Sequence, residues 1–197
     1  MSNGSEPVVD LASNSRYELM RSKHVTVPLS VPRKLRWCGY IALLAALIGP
    51  VVATLPTAVR ADHFAGNPTT TPLGAAAVVL IGVVAVAIAA AGLTAVAVSV
   101  ERTPDPPESR LWLLIGAEDA FSGIGFITGA LGVLSGGIIL ASGHWGPDAV
   151  DRLIASGIDP YLVFDAVPAT PRLTAIGALL VGIGSIASSV VVERRRE

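Results

Sequence analysis

The stretch that decides the fold is "LGAAAVVLIGVVAVAIAAAGLTAVAVSV", residues 73–100, which runs for 28 residues without a charged side chain. A helix rises about 1.5 Å per residue and the hydrocarbon core of a bilayer is roughly 30 Å thick, so about 20 apolar residues suffice to cross it. The stretch is therefore long enough to cross a membrane as one tilted helix. It is continuous, without the short alternating pattern of a β-barrel strand.

Three further apolar blocks flank this stretch, at about residues 37–55, 118–141 and 173–192, the third of them within a longer apolar run over 111–141. The whole chain is 52% hydrophobic and only 15% charged, whereas a soluble domain carries about 25% charged residues. The sequence thus predicts an all-α membrane protein with four transmembrane helices in a single domain over 37–192.

The basic residues indicate how the chain is threaded through the membrane. Eleven of the fourteen lie in the N-terminal segment 1–36, in the connection 101–110 and in the tail 193–197. The connections on the other side hold three, namely Arg60, Arg152 and Arg172. Because basic residues favour the cytoplasmic side, we expect both termini in the cytoplasm and a multi-pass protein of the cell membrane.

The segments outside the predicted spans are more polar than the spans. Residues 1–36 mix polar, proline and charged residues, and we expect them to be mostly irregular, with one short helix around 16–23. The connection 142–170 is expected to form a cap on the outer membrane surface, with a short helix over 148–156. Residues 193–197 form a basic cytoplasmic tail.

Composition also excludes several classes of function. A net charge of −1 argues against a nucleic-acid partner. The single cysteine, Cys38, permits no intrachain disulfide, and His63 and His144 fit no metal-ligand spacing, so we expect no cofactor and no metal. No nucleotide-binding or hydrolase motif is found, which argues against an enzyme. Arginine outnumbers lysine twelve to two, a usage typical of a GC-rich prokaryotic genome.

Short sequences recur along the chain and raise the possibility of a duplicated helical hairpin. "TPL" (71–73) and "TPRL" (170–173) precede the second and fourth spans, and both of these spans end in "VER". Two tandem hairpins would form parallel halves related by an axis normal to the membrane. The alternative is convergence on threading signals, since any span that ends inside tends to finish with arginine.

Small residues form stripes on the third and fourth spans. The third carries Ser122, Gly125, Gly129, Gly132 and Gly136, and the fourth carries Ala178, Gly182 and Ser185 on one face. Membrane helices associate where small residues let their backbones approach closely. We therefore expect these two helices to pack against each other; alternatively, one stripe contacts a second copy of the protein.

The first span contains Gly49-Pro50 in its interior. Proline has no backbone N–H to donate, so we expect a kink at this point. Such kinks are tolerated in membrane helices and need no functional meaning.

Two neighbouring carboxylates, Glu118 and Asp119, stand in "LIGAEDAFSGIGF" (114–126) and are the acidic residues of the predicted spans. In one interpretation they cap a helix that begins near Ala120, because acidic groups suit a helix N-terminus. In the other, the helix runs unbroken from Leu111 and Glu118 faces the glycine seam. Carboxylates buried in that way often mark a proton or ion path.

These patterns favour a structural or accessory membrane protein that assembles through its glycine-rich helix faces, as a homo-oligomer or as a subunit of a larger membrane complex. The alternative is a small dimeric transporter or channel that uses Glu118, with Asp119 beside it, as its ion- or proton-binding carboxylate. A sensory or anchoring role of the N-terminal segment and the outer cap is a third hypothesis.

Overall fold

The computed structural model describes residues 16–64, 66–103, 106–163, 167 and 169–195. Its helices are α1 (Arg16–His24), α2 (Val31–Ala46), α3 (Ile48–Ala53), α4 (Thr57–His63), α5 (Gly74–Arg102), α6 (Glu108–Gly123), α7 (Ala130–Ala141), α8 (Pro147–Ala155) and α9 (Pro171–Arg194). A π-helical turn, Ile124–Gly129, joins α6 to α7, and a 3-10 turn, Ser142–Trp145, follows α7. Over this part of the chain the fold is all-helical, apart from one isolated bridge between Leu73 and Val163.

Four helical segments are long and apolar enough to cross a membrane: Val31–Ala53, Gly74–Arg102, Glu108–Trp145 and Pro171–Arg194. The four predicted spans are therefore present as helices. Two of them begin earlier than the hydrophobic blocks suggest, at Val31 and not residue 37, and at Glu108 and not residue 118. A proline marks both starts. Pro32 stands in the first turn of α2, where its missing N–H costs nothing, and Pro107 is the residue that directly precedes α6.

The first segment is interrupted where the sequence predicts a kink. Helix α2 ends at Ala46, and α3 begins at Ile48 after a tight turn in which the Leu47 N–H bonds to Leu44 O at 3.1 Å. Pro50 lacks the N–H that would bond to Ala46 O, so the regular ladder is lost one turn before the proline.

The four spans form a bundle with α5 at its centre. In its most apolar window α5 is 61% buried, against 39% for the first span and 28% for each of the third and fourth. The third span, α6 and α7, packs along α5, whereas the fourth, α9, packs chiefly along α2. The expectation that the third and fourth spans pack against each other is wrong, since they make no extended contact within the described residues.

Close approach of backbones explains this pairing. A Cβ atom on Gly82 of α5 would lie 2.8 Å from Gly129 O, and one on Gly132 would lie 3.0 Å from Gly82 Cα. The same relation joins α2 to α9, where a Cβ on Gly39 would lie 3.0 Å from Gly182 O. The glycine stripes thus meet small residues of α5 and α2, which the sequence analysis did not pair with them.

The other members of the two stripes also lie at contacts within the chain. Gly125 faces Ala89 and Gly136 faces Val79, both on α5. The remaining members, Ser122, Ala178 and Ser185, are buried. The first and second spans contact each other, whereas the third and fourth make no extended contact within the described residues. The two hairpins are therefore packed differently, and the duplication stays a prediction.

The connections at the end away from the termini, called the loop end here, fold over the bundle. Tyr161 is buried and its hydroxyl donates to Leu140 O at 3.2 Å. Burial raises the pKa of Tyr161 to about 12. Gly143 lies directly beneath this hydroxyl, in space that a side chain would fill. The short helix predicted over 148–156 is α8, one residue earlier at each end.

Replacing Gly132 with leucine is expected to separate α7 from α5, because the new side chain meets backbone atoms of Gly82 that have no room to move. Overpacking of this kind costs about 1–3 kcal/mol or more. The measurement is the thermal unfolding midpoint of the purified protein in detergent. Gly137→Leu is the matched control on the same helix, since a Cβ there meets nothing within 4 Å. Equal midpoints for the two variants would contradict the packing.

Candidate functional site

The helix that carries Glu118 and Asp119 is continuous on both sides of them. It begins at Glu108 after Pro107, and Glu108 supplies the acidic group of its first turn. The interpretation in which Glu118 or Asp119 caps a helix starting near Ala120 is therefore wrong, because the N-terminal N–H groups lie some ten residues earlier. Glu118 is instead fully buried in the interior of the helix, with 0% of its surface exposed.

Three side chains from the N-terminal segment surround the Glu118 carboxylate. Arg21 Nε lies 2.9 Å from Oε1 and 2.8 Å from Oε2. Lys34 Nζ donates to Oε1 at 2.6 Å, and the Tyr17 hydroxyl donates to Oε2 at 2.6 Å. Each carboxylate oxygen thus has two donors. Tyr17 and Arg21 belong to α1, and Lys34 belongs to α2.

Because the cluster is buried, its side chains depend on one another for charge compensation and hydrogen bonding. Lys34 and Tyr17 are almost fully buried, at 0% and 2% exposure, and Arg21 is 8% exposed. Removing an ion from water costs several kcal/mol, which close opposite charges and additional hydrogen bonds can offset. Charge-assisted hydrogen bonds of this length are the stronger kind. Loss of Glu118 would leave two buried cations without compensation, and loss of any donor would leave part of the buried carboxylate unsatisfied.

Arg21 also holds the turn between α1 and α2. One of its terminal guanidinium nitrogens donates to Leu29 O, and its own carbonyl accepts the Val25 N–H at 3.1 Å. The chain between the helices is thereby fixed to the same guanidinium that contacts Glu118. Tyr17, on the other side, packs into an apolar cluster with Val96, Leu111, Leu114 and Ile115.

Asp119 binds the N-terminal segment from the neighbouring face. Its Oδ1 accepts the Thr26 backbone N–H at 2.9 Å, and its Oδ2 accepts the Thr26 hydroxyl at 2.9 Å. These bonds are exposed to solvent, in contrast to those of Glu118. The two neighbouring carboxylates therefore fix residues 17–34 at two points, one buried and one at the surface. We call the six residues Tyr17, Arg21, Thr26, Lys34, Glu118 and Asp119 the carboxylate clamp.

Sequence reasoning identified the two carboxylates but missed their four partners. Lys34 was read as part of a basic threading signal, because the first span was expected to begin at residue 37. With the helix starting at Val31, Lys34 lies one turn before Cys38 and two turns before Ala42, both fully buried. The proline at position 32 was the signal that places the helix start early enough to bury Lys34.

The first residue of the small stripe supports the clamp from within the same helix. Ser122 is buried, and its hydroxyl donates to Glu118 O at 2.6 Å. A serine that bonds back by four residues satisfies its own hydroxyl and often bends the helix. The π-helical turn follows directly at Ile124.

The histidines predicted not to bind metal have other neighbours. His144 Nε2 lies 3.3 Å from the Thr54 hydroxyl, and the His63 ring packs against Tyr161 at 5.8 Å between centroids. Among the described residues no group of three or more histidine, cysteine or acidic side chains is arranged to hold a metal ion.

Comparison with known proteins finds no matching family model, no similar curated protein and no similar solved structure. The site must therefore be interpreted from its own geometry.

Substituting Glu118 with glutamine is expected to release the N-terminal segment, because Lys34 and Arg21 then lose their buried counter-charge. Breaking one partner of a buried pair costs about 3–5 kcal/mol. The measurement is limited trypsin digestion in detergent, with the new cleavage expected after Arg21 and Lys23. Glu193→Gln is the control at the same end of the bundle: its pair with Arg36 is exposed and contributes at most about 1 kcal/mol. Equal resistance of wild type and Glu118→Gln would contradict the clamp.

Asp119→Ala is expected to have a smaller and more local effect than Glu118→Gln. It removes two exposed hydrogen bonds to Thr26, each of which contributes about 0.5–1.5 kcal/mol. Amide hydrogen exchange should therefore accelerate over residues 25–30 while α1 stays protected. Exchange that accelerates equally along α1 would show that Asp119, and not Glu118, holds the segment.

Proposed function

We propose that this chain is a structural or accessory multi-pass protein of the cell membrane, without enzymatic activity, whose N-terminal segment is fixed to the bundle by the carboxylate clamp. The observation that carries the proposal is the complete occupation of Glu118. Its two oxygens already accept four close contacts from Tyr17, Arg21 and Lys34. A carboxylate held in this way organises the protein around it and presents no open position to a transported ion.

The alternative is a small dimeric transporter or channel in which Glu118 exchanges its internal partners for an ion or a proton. The specific observation in its favour is the π-helical turn Ile124–Gly129, which begins six residues after Glu118 in the same span. Single π-helical turns inside α-helices frequently occur at functional sites. The clamp weighs against this alternative, because two cations next to the carboxylate disfavour a third.

The proposed orientation has both termini in the cytoplasm. Its support is the distribution of basic residues, eleven on the terminal side and three on the loop side. The structure adds that several of these cations have acidic partners at that end of the bundle, where Arg36 pairs with Glu193 and Arg195 lies 3.5 Å from Glu101. Basic residues at the cytoplasmic surface of a membrane also attract anionic headgroups, which agrees with this orientation.

Assembly with a second copy of the chain is part of the proposal, but the contact surface differs from the one expected. Gly129, Gly132 and Gly136 already face α5 within the chain. A groove between α5 and α9 stays open, lined by small side chains that include Ala87, Ala91, Thr94, Gly184 and Ser188. Small residues on both walls admit a partner helix at close range, which favours this groove as the contact between copies.

Reconstitution into liposomes distinguishes the two functions. The structural proposal expects no proton or cation flux above that of protein-free liposomes, and a dimer or higher oligomer in native mass spectrometry. Gly184→Leu, at a position where a Cβ meets nothing within the chain, should dissociate that oligomer without unfolding the subunit. Flux that disappears in Glu118→Gln, with the oligomer intact, would overturn the structural proposal in favour of the transporter.

A further inference from the structure

A second groove, on another side of α9, ends in an arginine at the loop end of the bundle. It lies between the interrupted first span and α9, and encloses about 500 Å³. Its walls include Leu43, Leu47, Ala175, Ile176 and Leu179, and Arg172 stands at its end. The side chains of Leu47, Ile176 and Leu179 are between 44% and 53% exposed, so the groove opens toward the surroundings of the bundle.

The interruption of the first span shapes this groove. At Gly49 the chain approaches α9 so closely that a Cβ atom would lie 3.1 Å from Ala175 Cβ. Next to this contact, the turn at Leu47 separates α2 from α3. The Gly49-Pro50 pair, which has no part in the carboxylate clamp, thus has a structural consequence on the membrane-facing surface.

Arg172 provides an exposed positive charge at the polar end. Its backbone N–H donates to Thr69 O at 3.0 Å, which fixes its position at the start of α9. Its side chain is exposed, and none of the described acidic side chains lies within ion-pair distance of it. A guanidinium is always charged and its planar fork matches the oxygens of a phosphate.

We propose that the groove binds one phospholipid molecule, with its phosphate at Arg172 and an acyl chain along the apolar walls. From Arg172 to Leu179 the helix rises about 10 Å, which sets the length of chain that the groove shields. The combination of one cation at the membrane surface and an apolar channel leading inward complements a phospholipid at both ends.

A helix of a second copy fits this groove less well. Leu43, Leu47, Ile176 and Leu179 stand among the small residues of its walls and keep a partner backbone at a distance, whereas close helix packing needs small residues on both partners. The groove also extends over only about two helical turns, and an apolar helix brings no anion to Arg172. The occupant is therefore a lipid and not a subunit.

The inference rests on the membrane location proposed above. Different results would contradict the membrane location and the lipid site. If the protein is recovered in the soluble fraction after lysis without detergent, the membrane location is wrong. If it needs detergent but has no preferred lipid, only the lipid site is wrong.

The test is native mass spectrometry of the delipidated full-length protein titrated with dioleoylphosphatidylglycerol. We expect one lipid to bind more tightly than all later ones, and Arg172→Gln to weaken that first binding roughly tenfold, as befits loss of a charged hydrogen bond. Arg152→Gln removes another exposed arginine of the loop end and should leave binding unchanged. Glycerol 3-phosphate, which has no chains, should not compete.

A second variant keeps the test independent of the charge. Ile176→Trp fills the groove from an exposed position outside the core, and it should also weaken the first binding while the thermal midpoint is kept. Equal effects of Arg172→Gln and Arg152→Gln, or full binding by Ile176→Trp, would overturn the proposal. Dimers that appear only when the groove is empty would assign it to a second copy.

Discussion

A carboxylate buried among apolar helices must find positive charge, and this requirement organises the terminal end of the protein. Glu118 lies at 0% exposure within a span that runs from Glu108 to Trp145 without a break. The single arginine or lysine of that span, Arg110, lies near its start, about two helical turns before Glu118. The N-terminal segment provides it, because α1 carries Arg21 and Tyr17 and the early start of α2 buries Lys34. Residues 17–34, which belong to a segment that composition describes as mostly irregular, are thereby fixed to the bundle.

The rest of the bundle follows from close backbone approach. Gly82 of α5 contacts Gly129 and Gly132 of the third span. Gly39 of α2 contacts Gly182 of the fourth span. These two contacts leave α5 central and α9 peripheral, with grooves on both sides of α9. The faces that point away from the bundle carry large aliphatic side chains, as a bilayer requires.

The sequence was sufficient for the elements whose signal is local. Long apolar blocks predicted the four spans, Gly49-Pro50 predicted the break in the first, and the regular spacing of small residues identified faces that lie at contacts within the chain. The partner of each face could not be predicted, because α5 carries small residues on all sides of Gly82 and α2 has a single glycine, Gly39. Which helix packs against which is a long-range property, and the sequence of one helix alone does not determine its partner.

The carboxylate clamp shows the same limit in electrostatic form. Glu118 and Asp119 are conspicuous because they interrupt an apolar span, whereas Arg21 and Lys34 resemble the other basic residues that mark the terminal side. Residue type alone does not distinguish a cation that sets the orientation from a cation that neutralises a buried carboxylate. Only the helix start at Val31, which places Lys34 on the face of Cys38 and Ala42, separates the two roles.

The measurement that tests the central claim most directly is a double-mutant cycle between Lys34 and Glu118, with Lys34→Met and Glu118→Leu alone and together, read as free energies of unfolding in detergent. If Glu118 is a structural clamp, each single change destabilises strongly and the double change costs less than their sum, with a coupling free energy of about 1–3 kcal/mol. Additive effects would show that the two groups do not depend on each other and would contradict the account.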